Sequence, residues 1–226
     1  MHIPENYLSP ETCAVMAVLA APVVIACAKR TKSKLSPQEL PLLGVGAAVS
    51  FLLMMFNIPV PGCTSAHAVG GTLLAALLGP EAAVLSVASA LLIQAVFFGD
   101  GGILALGANI FNMAVLMPLV GYGLYSLLKK ALPNVMALAI GAYAGINAAA
   151  FMAAIEFGIQ PMLFHDPAGL ALYAPYPLSI AIPAMMIPHL TIAGLAEVIF
   201  TVGIYSFVHG KDTETISIKN KVLYGI

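Results

Sequence analysis

The hydrophobic residues of this chain run in blocks of helical length, broken by short polar or Pro/Gly-marked stretches. There is no two-residue alternation of the kind that marks half-buried strands. Seven blocks are apparent, at residues 10–28, 37–57, 66–79, 80–98, 104–129, 134–157 and 179–208. The first opens at Ser9-Pro10-Glu11, a helix start with Ser9 as cap and Pro10 in the first turn. Ser36-Pro37-Gln38-Glu39 reads as a capping box that opens the second. Block three is short and runs into block four through Gly79-Pro80-Glu81. A segment of that length falls short of the roughly 20 residues that cross a bilayer, so it is expected to line a protein-enclosed site, with Thr64 or Ser65 capping it and His67 in its first turn. The pattern predicts an all-α bundle of seven transmembrane helices.

Composition places that bundle in lipid. The chain is 61% hydrophobic and 8% charged, with a mean hydropathy of +0.98, where soluble domains carry about 25% charged residues. All nine Lys and Arg residues fall in three places: 29–34, 129–130 and 211–221. With seven crossings and the N-terminus outside, all three are cytoplasmic, as the positive-inside rule asks. Merging blocks three and four into one re-entrant element would put Lys129 and Lys130 outside. The expected organisation is an N-terminal segment 1–9, a transmembrane domain 10–208 and a cytoplasmic tail 209–226, with no cleavable leader because no basic region precedes the first apolar run. A net charge of −1 says nothing about nucleic acid, and no basic, aromatic-interleaved face supports that idea. Cys13 and Cys27 read as small apolar residues, and three cysteines form no paired framework.

The candidate chemistry lies at the first residues. A free α-amine has an ordinary pKa near 8, close enough to neutrality to ligate. The amine of Met1, the amide nitrogen of His2 and the His2 imidazole occupy consecutive chelate positions. Met1 is expected to be retained, since His2 is too large for ordinary initiator removal. One further imidazole, from His67, would complete a square of four nitrogens, which suits Ni(II) or Cu(II). Asn6 in the same stretch tolerates a left-handed backbone.

Other polar residues are set against simpler roles. Asn109 and Asn112, nearly one turn apart, fit interhelical hydrogen bonds, with Asn109 also a partner for a ligating imidazole. His165 and Asp166 read as a solvated loop pair. His189 and Glu197 are intramembrane ionisable groups, separated by about 12 Å along a helix, and Glu197 is expected to satisfy Asn112 or Asn147 or to meet a partner. Gly141-xxx-Gly145 and Ala17-xxx-Ala21 offer close helix packing, the latter also a partner-docking face. Rival classes find less support. No two histidines stand at i, i+4 as an intramembrane metalloenzyme's H-E-x-x-H would require, and no phosphate-binding loop is present. A vitamin pocket would draw on aromatic lining, yet the chain has no Trp. A tight chelate makes a poor passive channel.

The stretches Met1-His2-Ile3-Pro4-Glu5-Asn6-Tyr7-Leu8-Ser9-Pro10, Pro61-Gly62-Cys63-Thr64-Ser65-Ala66-His67 and Phe98-Gly99-Asp100-Gly101-Gly102 through Met113 resemble the cobalt/nickel substrate-binding membrane subunits (NikM/CbiM type, S components) of energy-coupling-factor transporters. The opening is closer to the nickel branch. The resemblance implies a non-enzymatic subunit of the prokaryotic cell membrane that takes up Ni(II), or alternatively Co(II), and has no permanently bound cofactor. It implies metal ligation by Met1, His2 and His67, and partners comprising a transmembrane coupling (T) subunit, two cytoplasmic ATPase (A) subunits and a small accessory membrane subunit. Asn6 stands where glycine is usual in the family, and Cys63 stands four residues before His67 where glycine is common. Cys63, Thr64 and Ser65 are candidates for the surroundings of the ion, with Cys63 expected to be a bystander.

Overall fold

In a computed structural model, which describes residues 1–37, 39–59 and 65–224, with side chains through residue 210, the chain is mostly helical. Helix α1 spans Pro10–Lys34 and α2 Pro41–Met54. A two-residue hairpin, β1 (Ile58–Pro59) against β2 (Ser65–Ala66), precedes the short α3, Gly71–Leu78. Helix α4, Pro80–Ile93, passes into π-helical turns at Gln94–Phe98. Helix α5 (Leu106–Asn109) passes through π-helical Ile110–Leu116 into α6, Met117–Leu128. Then come α7 (Asn134–Gly158), α8 (Gln160–Leu163), α9 (Leu178–Pro188), a π-helical stretch His189–Ala193 and α10, Gly194–Tyr224. Among the described residues, five continuous helical stretches are long and apolar enough to cross a membrane, and α2 is a shorter apolar helix. Large exposed side chains such as Val18, Phe97 and Ile199 give those rods the outward apolar surface that lipid requires.

Several boundaries depart from the expected ones, each for a local reason. Helix α1 continues to Lys34, where Lys34 pairs with Glu81 at 2.6 Å. Helix α2 starts at Pro41, after a turn in which the Glu39 carboxylate accepts from the Ser36 N–H (2.9 Å) and hydroxyl (2.8 Å). Gln38, within the expected capping box, lies outside the described residues. The third element is helical only from Gly71, because Gly70 sits at φ +77 and ends the extended run through His67. Ser65 lies in β2 and does not cap it, and Thr64 lies outside the described residues. The Val69 and Gly70 N–H groups instead donate to the Glu197 carboxylate at 2.8–3.1 Å, so a carboxylate from α10 replaces the local cap. Helix α10 runs on to Tyr224, so the expected tail boundary at 208/209 falls inside a continuous helix.

Small residues set the interhelical distances. A Cβ added at Gly145 would lie 2.7 Å from the Met117 carbonyl oxygen and 2.9 Å from Thr72 Oγ1. One at Gly107 would lie 2.6 Å from Ala17 Cα. Ala17 therefore packs α1 against α5. Two buried clusters join around the N-terminal residues: one holds Met1 with Met54, Val69, Met113 and Ala193, the other Ile3 and Leu8 with Met16, Phe157 and Met185. Gly145→Val is expected to overpack the α6–α7 contact and to destabilise the bundle by about 1–3 kcal/mol, read as a lower melting temperature in detergent. An unchanged melting temperature would show that this contact has slack.

Candidate metal centre

Residues 1–9 enter the bundle as an irregular segment held at nearly every step. The Asn109 side chain matches the donor and acceptor of a peptide group. Its Oδ1 accepts from the Ile3 N–H at 2.8 Å, and its Nδ2 donates to the Ile3 carbonyl at 3.1 Å. The Gly102 N–H donates to that carbonyl as well, at 2.9 Å. Asn6, at φ +63, turns the chain back. The Tyr7 carbonyl then accepts from Ala174 N–H (3.0 Å), Ser9 N–H donates to Gln160 Oε1 (3.0 Å), and Ser9 Oγ caps α1 through Thr12 N–H (3.1 Å). Met1, Ile3 and Leu8 are fully buried, each worth about 1.5–3 kcal/mol of apolar burial. The loop following α4 lies close over the segment. A Cβ at Gly101 (φ +82) would sit 2.9 Å from Asn109 Nδ2 and 3.3 Å from His2 Cδ2, and one at Gly102 would strike the Glu5 backbone at 2.8 Å.

This fixation brings three nitrogen-bearing groups together. The Met1 amine donates to Ser65 Oγ at 3.4 Å. Burial pushes its pKa from 8.0 down to about 4, against the opposing pull of the Asp100 carboxylate, so near neutral pH it keeps its lone pair. His2 is buried with its Nε2 3.2 Å from Gln94 Oε1. An oxygen acceptor there favours the tautomer with the proton on Nε2, in which Nδ1 is the nitrogen that would close a six-membered chelate ring with its own amide. Asp100 Oδ1 lies 3.5 Å from that Nδ1. Burial first, then the amine's positive charge, moves the His2 pKa down to about 4. His67 stacks on His2, ring centroids 4.6 Å apart and planes inclined by 29°. Its Nδ1 faces the Ala68 carbonyl at 3.1 Å, while its buried Nε2 has no hydrogen-bond partner. Amine and imidazoles thus stand buried in one place.

Among the described residues, no three His, Cys, Asp or Glu side chains gather as a metal cluster; an ion here would depend on the amine and amide nitrogens. Cys63 and Thr64 lie outside the described residues. Ser65 contacts the amine, and Asn109 acts on the main chain of Ile3, clamping the segment where an imidazole partner was expected. Asn112 donates to Glu156 Oε2 (2.9 Å) and Asn147 to the Tyr143 carbonyl (2.8 Å), so Glu197, bound to Val69 and Gly70, serves neither. Asp166 Oδ1 accepts from Leu170 N–H in its own loop, and His165 contacts the Asp166 carbonyl. Gln94 and Asp100 were missed by sequence reasoning. A buried glutamine in an apolar helix was the available signal for the first, and the glycine-flanked acid within the quoted motif for the second.

The chain matches, over residues 2–214, the family described as cobalt uptake substrate-specific transmembrane region. It is 54% identical over 210 residues to a probable fused nickel transport protein of Lactiplantibacillus plantarum, covering 92% of this chain and 64% of that protein. It is 50% identical to a fused nickel transport protein of Rhodobacter capsulatus, covering 96% of this chain and again 64% of that protein. The chain therefore spans just under two-thirds of the length of these fused relatives. A putative metal transport protein of Methanocaldococcus jannaschii is 46% identical, with 100% of this chain and 99% of that protein covered. A crystal structure of a transition metal transporter superposes with a TM-score of 0.94 at 53% identity, covering 98% of each chain. A truncated transition metal transporter does so at 0.90 and 54%, covering 93% of this chain and 99% of that one. With the N-terminal segment, its clamp and its paired imidazoles in place, the chain belongs to the cobalt uptake substrate-specific transmembrane family.

Proposed function

We propose that this chain is the substrate-binding subunit of a transition-metal uptake transporter. In this reading it captures Ni(II), or alternatively Co(II), with the Met1 amine, the His2 amide nitrogen, His2 Nδ1 and His67 Nε2. The observation that carries the reading is the buried, neutral amine beside two stacked imidazoles. Four nitrogens in a plane favour Ni(II). A divalent ion and one deprotonated amide leave a net charge of +1, which the Asp100 carboxylate near His2 Nδ1 is placed to offset. The nickel and metal transport names of relatives at 46–54% identity support the same reading.

Seven crossings with the N-terminus outside and the C-terminus in the cytoplasm fit the Lys and Arg distribution, α3 with its extended approach counting as the third. Residues 1–9 then form the metal-binding segment, 10–208 the membrane domain and 209–226 the cytoplasmic end, with the capture site facing outward. Transport draws on a coupling subunit, two ATPase subunits and a small accessory membrane subunit in the cell membrane. Ala17 and Ala21, which line an apolar groove between α1 and α5 with Val24, Ile25 and Gly107, are the proposed docking face. Release follows when partner subunits draw the first residues away from His67.

An N-terminal Gly-Ser extension is expected to weaken Ni(II) binding by a hundredfold or more, on the order of 3 kcal/mol, with the bundle still folded. Equal affinity of tagged and native chains by calorimetry would exclude the amine as ligand. His67→Ala is expected to leave a weaker three-nitrogen site, and unchanged affinity would remove His67.

Acid dependence gives a third check. Because burial already disfavours the protonated forms of the amine and of His2, the proton released on binding is that of the His2 amide. Affinity should then rise about tenfold per pH unit between pH 5.5 and 8. A slope near zero would exclude amide ligation, and a slope near three would show that the amine and an imidazole are protonated in the free chain.

A further inference from the structure

His189 is used by none of the contacts that build the four-nitrogen site, yet its neighbours along the helix, Met186 and Ala193, pack in the cluster that holds Met1. It opens the π-helical stretch between α9 and α10, and such local widenings often mark functional positions. Met186, His189, Ala193 and Glu197, at spacings of three and four, form one stripe. Its lower end is fixed, since Glu197 grips the backbone of Val69 and Gly70. Its upper part is placed by Met186 and Ala193, which pack in the cluster holding Met1. Ala193 also shares with His67 a cavity of about 250 Å³ between α2 and α10. His189 is completely buried on this stripe, between Met186 and Ala193 in sequence.

The two imidazoles are prepared in the same way. His189 Nδ1 donates to the Met185 carbonyl at 2.7 Å, as His67 Nδ1 donates to that of Ala68, and each buried Nε2 has no hydrogen-bond partner. Burying a lone pair unsatisfied is unfavourable unless something binds it, and a neutral imidazole with its far nitrogen anchored to a carbonyl is set up as a metal ligand.

Building on the capture reading above, we propose that the Nε2 atoms of His67 and His189 form a second station for the transition-metal cation, which receives it when the first residues withdraw. The exchange is one of ligands alone. The ion leaves the amine, His2 Nδ1 and the His2 amide, which regains its proton from water. It keeps His67 and gains His189. Both ligands of the second station belong to the bundle, so the N-terminal segment can depart without carrying the ion back out.

The test is a Ni(II) titration of the full chain carrying an N-terminal Gly-Ser extension, followed by calorimetry. A weak residual site is expected, of about micromolar affinity, that falls at least about tenfold with His189→Ala, with His67→Ala and with His189→Asn. The asparagine keeps a donor for the Met185 carbonyl but has no Nε2, so a loss shared by both His189 variants is a loss of ligation, provided the melting temperature holds. Residual binding that survives His189→Asn, or that is missing from the extended chain with both histidines intact, overturns the proposal. If the extended chain binds at full strength, the amine chelate of the capture reading falls instead, and the His189 variants in that same background still decide the second station by the same criterion.

Discussion

Two hydrogen bonds between the side-chain amide of Asn109 and the backbone of Ile3 hold the chain's first residues inside the bundle, and the site is built on that clamp. An amine prefers water and charge. Here burial holds its pKa at about 4 against 8.0 when solvated. Between those values the unfolded chain binds a proton that the folded chain does not, so the folded state loses stability as pH falls from 8 toward 4. Apolar burial of Met1, Ile3 and Leu8 and the hydrogen bonds to Ile3, Tyr7 and Ser9 offset that penalty. The return is an unprotonated nitrogen lone pair in a water-poor site.

The bundle is shaped to receive this segment. π-helical turns begin at Gln94 and His189 and directly after Asn109, so all three irregular helix segments carry a polar side chain to the same region. Gln94 faces the His2 ring, Asn109 grips Ile3, and His189 lies on the stripe that carries Ala193 to the Met1 cluster. Gly101 and Gly102 let the loop after α4 lie on the segment without a side chain in the way. Glu197 ties the stretch just after His67 to α10, so movement of that last helix would be felt two residues from a candidate ligand.

Much of this was legible in the sequence where the signal is local. Ser9 and Pro10 announce the start of α1 because capping depends on a few adjacent residues, and the long apolar blocks give the other rods because lipid imposes their length. The closeness of Met1 and His2 to His67 followed from chelate chemistry and the family resemblance, and could not come from hydrophobic periodicity. What stayed hidden was non-local. The cap on the turn before α3 comes from a carboxylate 127 residues away, which no local pattern encodes, and the Gly70 break therefore read as continuous helix. The π-helical turns leave the hydropathy profile almost unaltered. Asn109 was recognised as polar and buried, but only coordinates reveal that it faces a backbone and not a ring.

In the proposed capture state one cation is held in a plane by an amine, an amide nitrogen and two imidazoles. An absorption and magnetic titration of the purified chain with Ni(II) tests it most directly. Low-spin planar nickel with a deprotonated amide gives a yellow, diamagnetic complex at one ion per chain, and that is the expected result. A pale green, paramagnetic complex, the signature of octahedral nickel, would contradict the account.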